Sequence, residues 1–144
     1  MQCAIMGSSI LWRDVCEAYR LFDANGIDVL LPPKEVIESM EAYVSFDMGM
    51  QNMSRSGGLS PTAWQRLNEH LDAIKISDFL YVMNPHNDFS GIQTYATGYA
   101  HALYKPVYSR CRVENSPARA YVEIYSPQEL VKFLKHSPKL TGHS

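Results

Sequence analysis

The start of the chain alternates between two hydrophobic periods, and this alternation restricts the possible folds more than any other feature. Residues 3–6 are a short apolar run closed by Gly7-Ser8-Ser9, which predicts a buried strand ending in a turn. Apolar residues then recur at 15, 18, 19 and 22, the spacing of one helix face, before the helix-ending pair Asn25-Gly26. Residues 27–31 predict a second strand. A strand, a helix and a strand in so short a stretch predict a parallel sheet with a right-handed crossover.

The rest of the chain continues this alternation. Ser60-Pro61 and Ser126-Pro127 each place a preferred N-cap residue before a proline, so both predict a helix start. Each of these two helices should pack one apolar face on the sheet; the faces are Trp64, Leu67, Leu71 and Ile74, and Leu130, Phe133 and Leu134. The first of these helices is predicted at 61–76. A further helix is predicted at 93–104, and strands are predicted at 79–83, 106–108 and 120–125.

The predicted fold class is α/β: a Rossmann-like three-layer sandwich with a mainly parallel five-stranded sheet. The length of 144 residues suits one domain, 1–144, and the chain has no internal repeat. Residues 45–59 are rich in Met, Gly and Ser and lack a sustained period. They predict a mobile loop, such as an active-site flap.

Charge and composition argue against several classes of partner. The net charge of -2 argues against nucleic acid, and no apolar run approaches the roughly 18 residues of a membrane helix. Cys3, Cys16 and Cys111 have no C-x-x-C spacing, which indicates a reducing, cytoplasmic environment. The five histidines lack metal-ligand spacing. We therefore expect no nucleic-acid or membrane partner, no metal and no cofactor.

Two segments are predicted where an open parallel sheet binds ligands, beyond the carboxyl ends of its strands. They are Gly7-Ser8-Ser9 with Trp12-Arg13 after the first strand, and residues 86–91 after the third. Helix N-termini there present amide N–H groups to anions. Taken alone, Gly7-Ser8-Ser9 also suits any tight turn.

A longer pattern accompanies these turns. Residues 78–108 contain an Asp before a strand, a loop, the run Ala96-Thr97-Gly98-Tyr99-Ala100 and then Tyr104-Lys105-Pro106-Val107. Together with Gly7-Ser8-Ser9, this ordered set resembles the nucleoside 2-deoxyribosyltransferase-like superfamily over about residues 2–125. Members of that superfamily cut or exchange the N-glycosidic bond of nucleosides or nucleotides. The resemblance implies the same chemistry, in a pocket completed across the interface of a homodimer or larger assembly.

The main departure from the family pattern is Ala96. The resemblance places there the catalytic Glu, which attacks the anomeric carbon or stabilises an oxocarbenium-like sugar while water attacks. Alanine does neither, so the form with Ala96 is expected to be inactive. Two explanations stay open: a natural protein without the catalytic residue, or an exchange of Glu for Ala that traps substrate.

Ser90, six residues before Ala96, implies the substrate class. Family transferases that act on free nucleosides tend to have Asp there, whereas the nucleoside-monophosphate N-hydrolases have Ser. A carboxylate would repel a phosphate, while a hydroxyl and helix amides would bind it. The implied phosphate contacts are Ser8, Ser90, Gly91 and Ser116. The alternative for Ser90 is an ordinary N-cap serine.

The motif is most similar to that of CMP hydrolases, in which an aromatic residue followed by Arg contacts the base. The resemblance therefore implies base contacts from Trp12 and Arg13, and its other base and sugar contacts are Gly7, Ser9, Asp88 and Asn115. The plain alternatives are a partly buried Trp12 with a solvated Arg13, and a simple turn at Asn115-Ser116. His70 stands where many family members have a sugar-binding Asp; candidates to replace that Asp are Asp72, Asp88 and Glu69.

Three functions follow from these observations, and the sequence leaves all of them open. The first is hydrolysis of a nucleoside 5′-monophosphate, such as CMP, to free base and (deoxy)ribose 5-phosphate. The second is base exchange on free nucleosides by a deoxyribosyltransferase. The third is a non-catalytic nucleotide-binding protein in which Ala96 is native. Ser90 favours the first over the second.

Overall fold

A computed structural model describes residues 1–51, 61–84, 89 and 91–136 of the chain. In this part of the chain five strands form one sheet, in the order β2-β1-β3-β4-β5. The strands are β1 (Gln2–Gly7), β2 (Asp28–Leu31), β3 (Phe79–Met83), β4 (Val107–Ser109) and β5 (Val122–Ile124). Every neighbouring pair is parallel, which confirms the predicted α/β class and the Rossmann-like sheet.

Helices cover both faces of the sheet. They are α1 (Trp12–Ala24), α2 (Lys34–Ile37), α3 (Met40–Gln51), α4 (Pro61–Ile76), α5 (Gly91–Ala102) and α6 (Pro127–Lys135). Two short 3₁₀ turns, Ser9–Leu11 and Pro117–Ala120, lie before α1 and β5. Helix α1 packs with α6 and helix α4 packs with α5, so the layers are helix, sheet and helix as predicted.

The core lies along β1 and β3, whose side chains are almost entirely buried. Phe22 of α1 is fully buried and meets the rings of Phe79 and Tyr81 edge-on, at centroid distances of 6.1 and 5.6 Å. The Phe79 ring in turn meets Tyr108 of β4 at 5.6 Å. This chain of aromatic contacts joins α1 to the middle of the sheet.

Part of the predicted mobile loop is helical. Residues 45–51 form the second half of α3, and residues 52–60 lie outside the described part of the chain. The segment is rich in Met, Gly and Ser, but Phe46 within it and Tyr43 just before it are buried against the rest of the fold. Tertiary packing therefore stabilises a helix that composition disfavours.

One residue expected to face the sheet does not. Trp64 at the start of α4 is 52% exposed, while Leu67, Ile74 and Leu130 are buried as predicted. Phe133 of α6 is partly exposed, but its ring packs against Tyr108 of β4 and Tyr125, as predicted. Trp64 lies in the first turn of α4, three residues after Pro61, before the stretch in which Leu67, Ala73 and Ile74 are buried. Apolar spacing predicts the face of a helix correctly but not how far the packed length extends along it.

Helix α5 begins two residues earlier than predicted and ends at Ala102, two residues before the predicted end. Just beyond it, Tyr104 has φ 60, a left-handed conformation, and its side chain is 95% exposed. This conformation is unfavourable by roughly 1–2 kcal/mol for a residue with a Cβ, and by far less for glycine.

We therefore expect Tyr104→Gly to stabilise the protein by about 1 kcal/mol, because the exposed ring loses no packing when it is removed. Urea unfolding monitored by circular dichroism measures the change. Tyr95→Gly serves as the control, since Tyr95 is also exposed but lies inside α5, where glycine destabilises a helix. A decrease in stability for Tyr104→Gly would contradict this account of the helix end.

No helix in the described ranges combines the length and apolar character needed to cross a bilayer.

Candidate functional site

The two motif segments predicted from the sequence leave the sheet side by side. The register of β1 and β3 pairs Gly7 with Met83, so the turn after β1 and the connection from β3 to α5 begin at the same edge. Because β2 and β3 lie on opposite sides of β1, the strand order reverses at this point. Such a switch point opens a crevice at the carboxyl edge of the sheet, where ligands bind in this class of fold.

Gly7 is required by the close approach of helix α1. A Cβ at this position would lie 2.6 Å from Cγ2 of Val15 and 3.1 Å from Cβ of Met83. The Gly7 carbonyl accepts a hydrogen bond of 2.5 Å from the hydroxyl of Tyr43 on α3. Burial and the nearby Asp47 carboxylate raise the pKa of Tyr43, so its hydroxyl stays a donor. The turn after β1 is therefore held from two sides.

The two serines of this turn have different environments. The Ser9 amide donates a hydrogen bond of 3.0 Å to Oδ2 of Asp47. The Ser8 Oγ is buried and has no hydrogen-bond partner among the described residues. A buried hydroxyl without a hydrogen-bond partner lowers the stability of a protein by roughly 1–3 kcal/mol. Such a group therefore calls for an explanation, and a ligand-binding role is one. Ser8 thus has an unpartnered hydroxyl in the turn after β1, whereas the Ser9 amide already donates to Asp47.

Trp12 and Arg13 occupy the first turn of α1, as the sequence predicts, but Trp12 is partly committed to the fold. Trp12 is half-buried against the core, and its indole Nε1 donates to the Ile37 carbonyl at 3.1 Å. The thiol of Cys16 donates to the same carbonyl at 3.4 Å. Arg13 is exposed. Any base contact from Trp12 would therefore come from its ring and not from its N–H group.

Two asparagine side chains link the loops at the carboxyl edge. Asn84, which follows β3, donates from Nδ2 to the Cys111 carbonyl at 3.1 Å and accepts from the Cys111 amide at 3.0 Å. Asn115 makes the same reciprocal pair with the backbone of Phe89, at 2.9 and 3.1 Å. The loop after β4 therefore holds the connection from β3 to α5 at both of its ends.

Ser116 attaches this loop to helix α5. Its Oγ lies 2.9 Å from Oγ1 of Thr94 in the first turn of α5, and it accepts from the Ala118 amide at 3.1 Å. Ser116 is buried, and both polar atoms of the Asn115 side chain bond to Phe89. In the described structure these two residues thus organise their own subunit's site, where the family resemblance implies contacts to a neighbouring subunit.

Ala96 lies in the second turn of α5, which begins at Gly91; the predicted start at residue 93 would have put it in the first turn. It is 3% exposed, and the adjacent Thr97 is fully buried with no partner for its Oγ1 within the described ranges. Besides the Ser8 Oγ, this is the other buried side-chain oxygen left unpartnered in that part of the chain. The turn after β1 and helix α5 thus each contain one buried hydroxyl without a partner in the described ranges.

Two predicted contacts, Asp88 and Ser90, lie outside the described residues, so their roles stay predictions. Gly91 is the first residue of α5, and the amide N–H groups of a helix's first turn have no partners within the helix and can bind an anion.

His70 has a structural role in the fold. Its ring stacks on Phe46 at 5.1 Å, its Nδ1 lies 2.9 Å from the Arg66 carbonyl, and burial lowers its pKa. Of the carboxylates considered as replacements, Glu69 pairs with Arg66 at 3.3 Å and Asp72 is exposed on α4. The carboxylate that the structure does place at the turn after β1 is Asp47.

Asp47 and Tyr43 are site residues that the sequence analysis did not identify. Both lie on α3: Asp47 falls within residues 45–59, where a mobile loop was expected, and Tyr43 precedes that segment. Their four-residue spacing puts them on one helix face, which would have been a usable signal had the helix been recognised.

Within the described ranges, no group of three or more His, Cys, Asp and Glu side chains is placed to hold a metal. Cys3, Cys16 and Cys111 are free thiols, and burial raises the pKa of Cys3 strongly, so that thiol stays protonated. Cys3 therefore contributes packing rather than nucleophilic chemistry.

No family model matches the chain, and no curated protein matches it in sequence. Among solved structures, the CMP N-glycosidase BcmB of Clostridium botulinum is similar, with a TM-score of 0.54 and 14% sequence identity. The alignment covers 94% of this chain and 99% of the BcmB chain. At this level of identity the likeness shows a shared fold, and it extends over nearly the whole domain.

Proposed function

We propose that this chain is a nucleoside 5′-monophosphate N-glycosidase by descent, with a pyrimidine nucleotide such as CMP as its ligand and with Ala96 at the catalytic position. One observation carries the proposal: the pairing of Gly7 with Met83 brings both motif segments to one edge of a sheet whose fold is shared with a CMP N-glycosidase. The ordered motif, including Ser90 six residues before Ala96, supports the monophosphate over the free nucleoside.

The proposed reaction breaks the bond between the anomeric carbon and the base nitrogen. The sugar becomes oxocarbenium-like as the base departs, and water attacks to give (deoxy)ribose 5-phosphate. A carboxylate at position 96 would stabilise the developing positive charge, which a methyl group cannot. The chain with Ala96 should therefore bind the nucleotide and leave it intact.

The proposed ground-state contacts do not depend on position 96. The resemblance implies phosphate contacts from Ser8, Ser90, Gly91 and Ser116, and base and sugar contacts from Gly7, Ser9, Trp12, Arg13, Asp88 and Asn115. Asn115 contributes by holding the backbone of Phe89, directly before Ser90. Ser116 contributes through Thr94 in the first turn of α5.

Calorimetric titration of the protein with CMP, dCMP, cytidine and deoxycytidine tests this function. We expect the monophosphates to bind and to bind more tightly than the nucleosides. Tighter binding of the nucleosides would support the deoxyribosyltransferase instead, since Ser90 would then have been misinterpreted. Absence of binding for all four would refute the proposal.

The proposed assembly is a homodimer or larger. Because Asn115 and Ser116 bond within their own chain, they are not the residues we expect to cross the interface. Light scattering at micromolar concentration should give at least twice the 16.3 kDa mass of the chain. A monomer at that concentration would count against a pocket shared between subunits.

A further inference from the structure

Helix α3 holds the turn after β1 with two side chains one helical turn apart. The Tyr43 hydroxyl donates to the Gly7 carbonyl, and the Asp47 carboxylate accepts from the Ser9 amide at 3.0 Å. Gly7 and Tyr43 are 36 positions apart in the chain, and Ser9 and Asp47 are 38 positions apart. They place a carboxylate directly at the turn where the strand order reverses.

The charge of Asp47 changes what this turn can bind. In the described part of the chain Asp47 forms no salt bridge, and its one hydrogen bond is that from Ser9 to Oδ2. Asp47 is half-buried, and its Oδ1 accepts no hydrogen bond in the described part of the chain, so this oxygen keeps its capacity to accept one. A carboxylate attracts neutral hydrogen-bond donors and repels phosphate.

We propose that Asp47 is a specificity-determining residue that accepts a hydrogen bond from a neutral donor of the nucleotide, a ribose hydroxyl or an exocyclic amino group of the base. This inference rests on the proposed function. It fixes the orientation of the ligand: the sugar or base lies at the turn after β1, and the phosphate lies away from it, toward the first turn of α5 at Gly91.

The proposal also narrows the role of Ser8. Its hydroxyl is one residue from the amide that carries the Asp47 carboxylate, so a phosphate there would meet a like charge. Ser8 therefore belongs with the sugar and base contacts. Gly91 and Ser116, on and beside the first turn of α5, form the phosphate end.

Asp47→Asn tests the proposal with little change in shape, because the Asn carbonyl can still accept from the Ser9 amide while the charge is lost. The matched control is Glu41→Gln, which removes an exposed carboxylate from the first turn of the same helix. The ligands are CMP, cytidine, 2′-deoxy-CMP, 3′-deoxy-CMP and UMP, which delete the phosphate, each hydroxyl and the amino group in turn. Affinities come from calorimetry, and thermal melting shows that each variant is folded.

We expect Asp47→Asn to weaken CMP and cytidine by the same factor, about tenfold to a hundredfold, because a hydrogen bond to a charged group is lost and the phosphate is not involved. Glu41→Gln should leave both affinities unchanged. One of the three ligands that lack a donor should bind the unsubstituted protein weakly, and Asp47→Asn should not weaken its binding further. The group missing from that ligand is then the donor to Asp47.

Three results would overturn the proposal. Tighter binding of CMP with unchanged cytidine in Asp47→Asn would place the carboxylate beside the phosphate. Equal binding of CMP and all three donor-deleted ligands to the unsubstituted protein would show that no donor is recognised, and this arm needs no variant. Binding of none of the five ligands to the unsubstituted protein would refute the proposed function itself.

Discussion

Replacement of Ala96 by glutamate is expected to produce a protein that releases free base from a nucleoside 5′-monophosphate at least about a thousandfold faster than the Ala96 form. The carboxylate would interact with positive charge that develops only in the transition state, so its loss reduces the rate without abolishing binding. Chromatographic detection of free base from CMP, dCMP and cytidine measures the gain.

Two further variants isolate the role of the charge at this position. Ala96→Gln has nearly the shape of glutamate but no charge and should stay inactive. Tyr95→Glu puts a carboxylate on an exposed position of the same helix and should also stay inactive. Base release by either control would show that position 96 is not the catalytic position.

Ala96→Glu also tests whether position 96 faces a ligand pocket. Ala96 is 3% exposed, and a charged group buried without partners is strongly destabilising. A side chain that points into a polar crevice escapes most of this cost. A folded Ala96→Glu protein without base release would argue for the non-catalytic alternative, and an unfolded one would place residue 96 in the apolar core.

Phe22→Ala is expected to lower the free energy of unfolding by about 3–5 kcal/mol, the usual range for removal of a fully buried phenylalanine. The ring makes edge-on contacts with Phe79 and Tyr81, and no small side chain can replace both. Since domains of this size are stable by only about 5–15 kcal/mol, the loss is a large fraction of the total.

Urea unfolding of Phe22→Ala, Phe22→Leu and Arg20→Ala measures this effect. Phe22→Leu keeps much of the volume and should cost less, while Arg20 is exposed on the same helix and its replacement should cost little. A loss below about 1 kcal/mol for Phe22→Ala would show that the site closes around the missing ring and that α1 is anchored elsewhere.

The alternation of apolar periods predicted the sheet well because burial determines both the strands and the packed helix faces. Strands β1 and β3 are buried on both faces, so their runs are continuously apolar and easy to recognise. The end of α1 at Asn25-Gly26 was equally predictable, since Gly26 takes φ 77. These features depend on residues close together in the chain.

Features that depend on distant contacts were not predictable in the same way. Helix α3 is stabilised by the burial of Tyr43 and Phe46 against other elements, and its contact with the turn after β1 joins Asp47 to Ser9. Trp64 was assigned to the core from spacing alone, but it is exposed near the start of α4. Tertiary packing decides such positions, and a single sequence does not contain it explicitly.

The same distinction applies to the candidate site. The resemblance predicts that Gly7, Ser8 and Ala96 belong to one site, and the parallel register brings Gly7 and the start of the connection to α5 to one edge of the sheet. It did not reveal that Asn115 bonds to Phe89, because the pairing of two loops follows from the three-dimensional path of the chain. The side chains that organise the site were therefore less visible in the sequence than those expected to bind the ligand.

The central claim is that a nucleoside 5′-monophosphate binds at the carboxyl edge of β1 and β3 with its anomeric carbon at residue 96. A crystal structure of the Ala96 protein soaked with CMP tests this most directly. We predict intact CMP in the crevice, its sugar or base within hydrogen-bond distance of Asp47, its anomeric carbon beside Ala96 and its phosphate on the amides that begin α5 at Gly91. CMP bound away from this edge, or a crevice in which Ala96 does not face the turn at Gly7-Ser8-Ser9, would contradict the account.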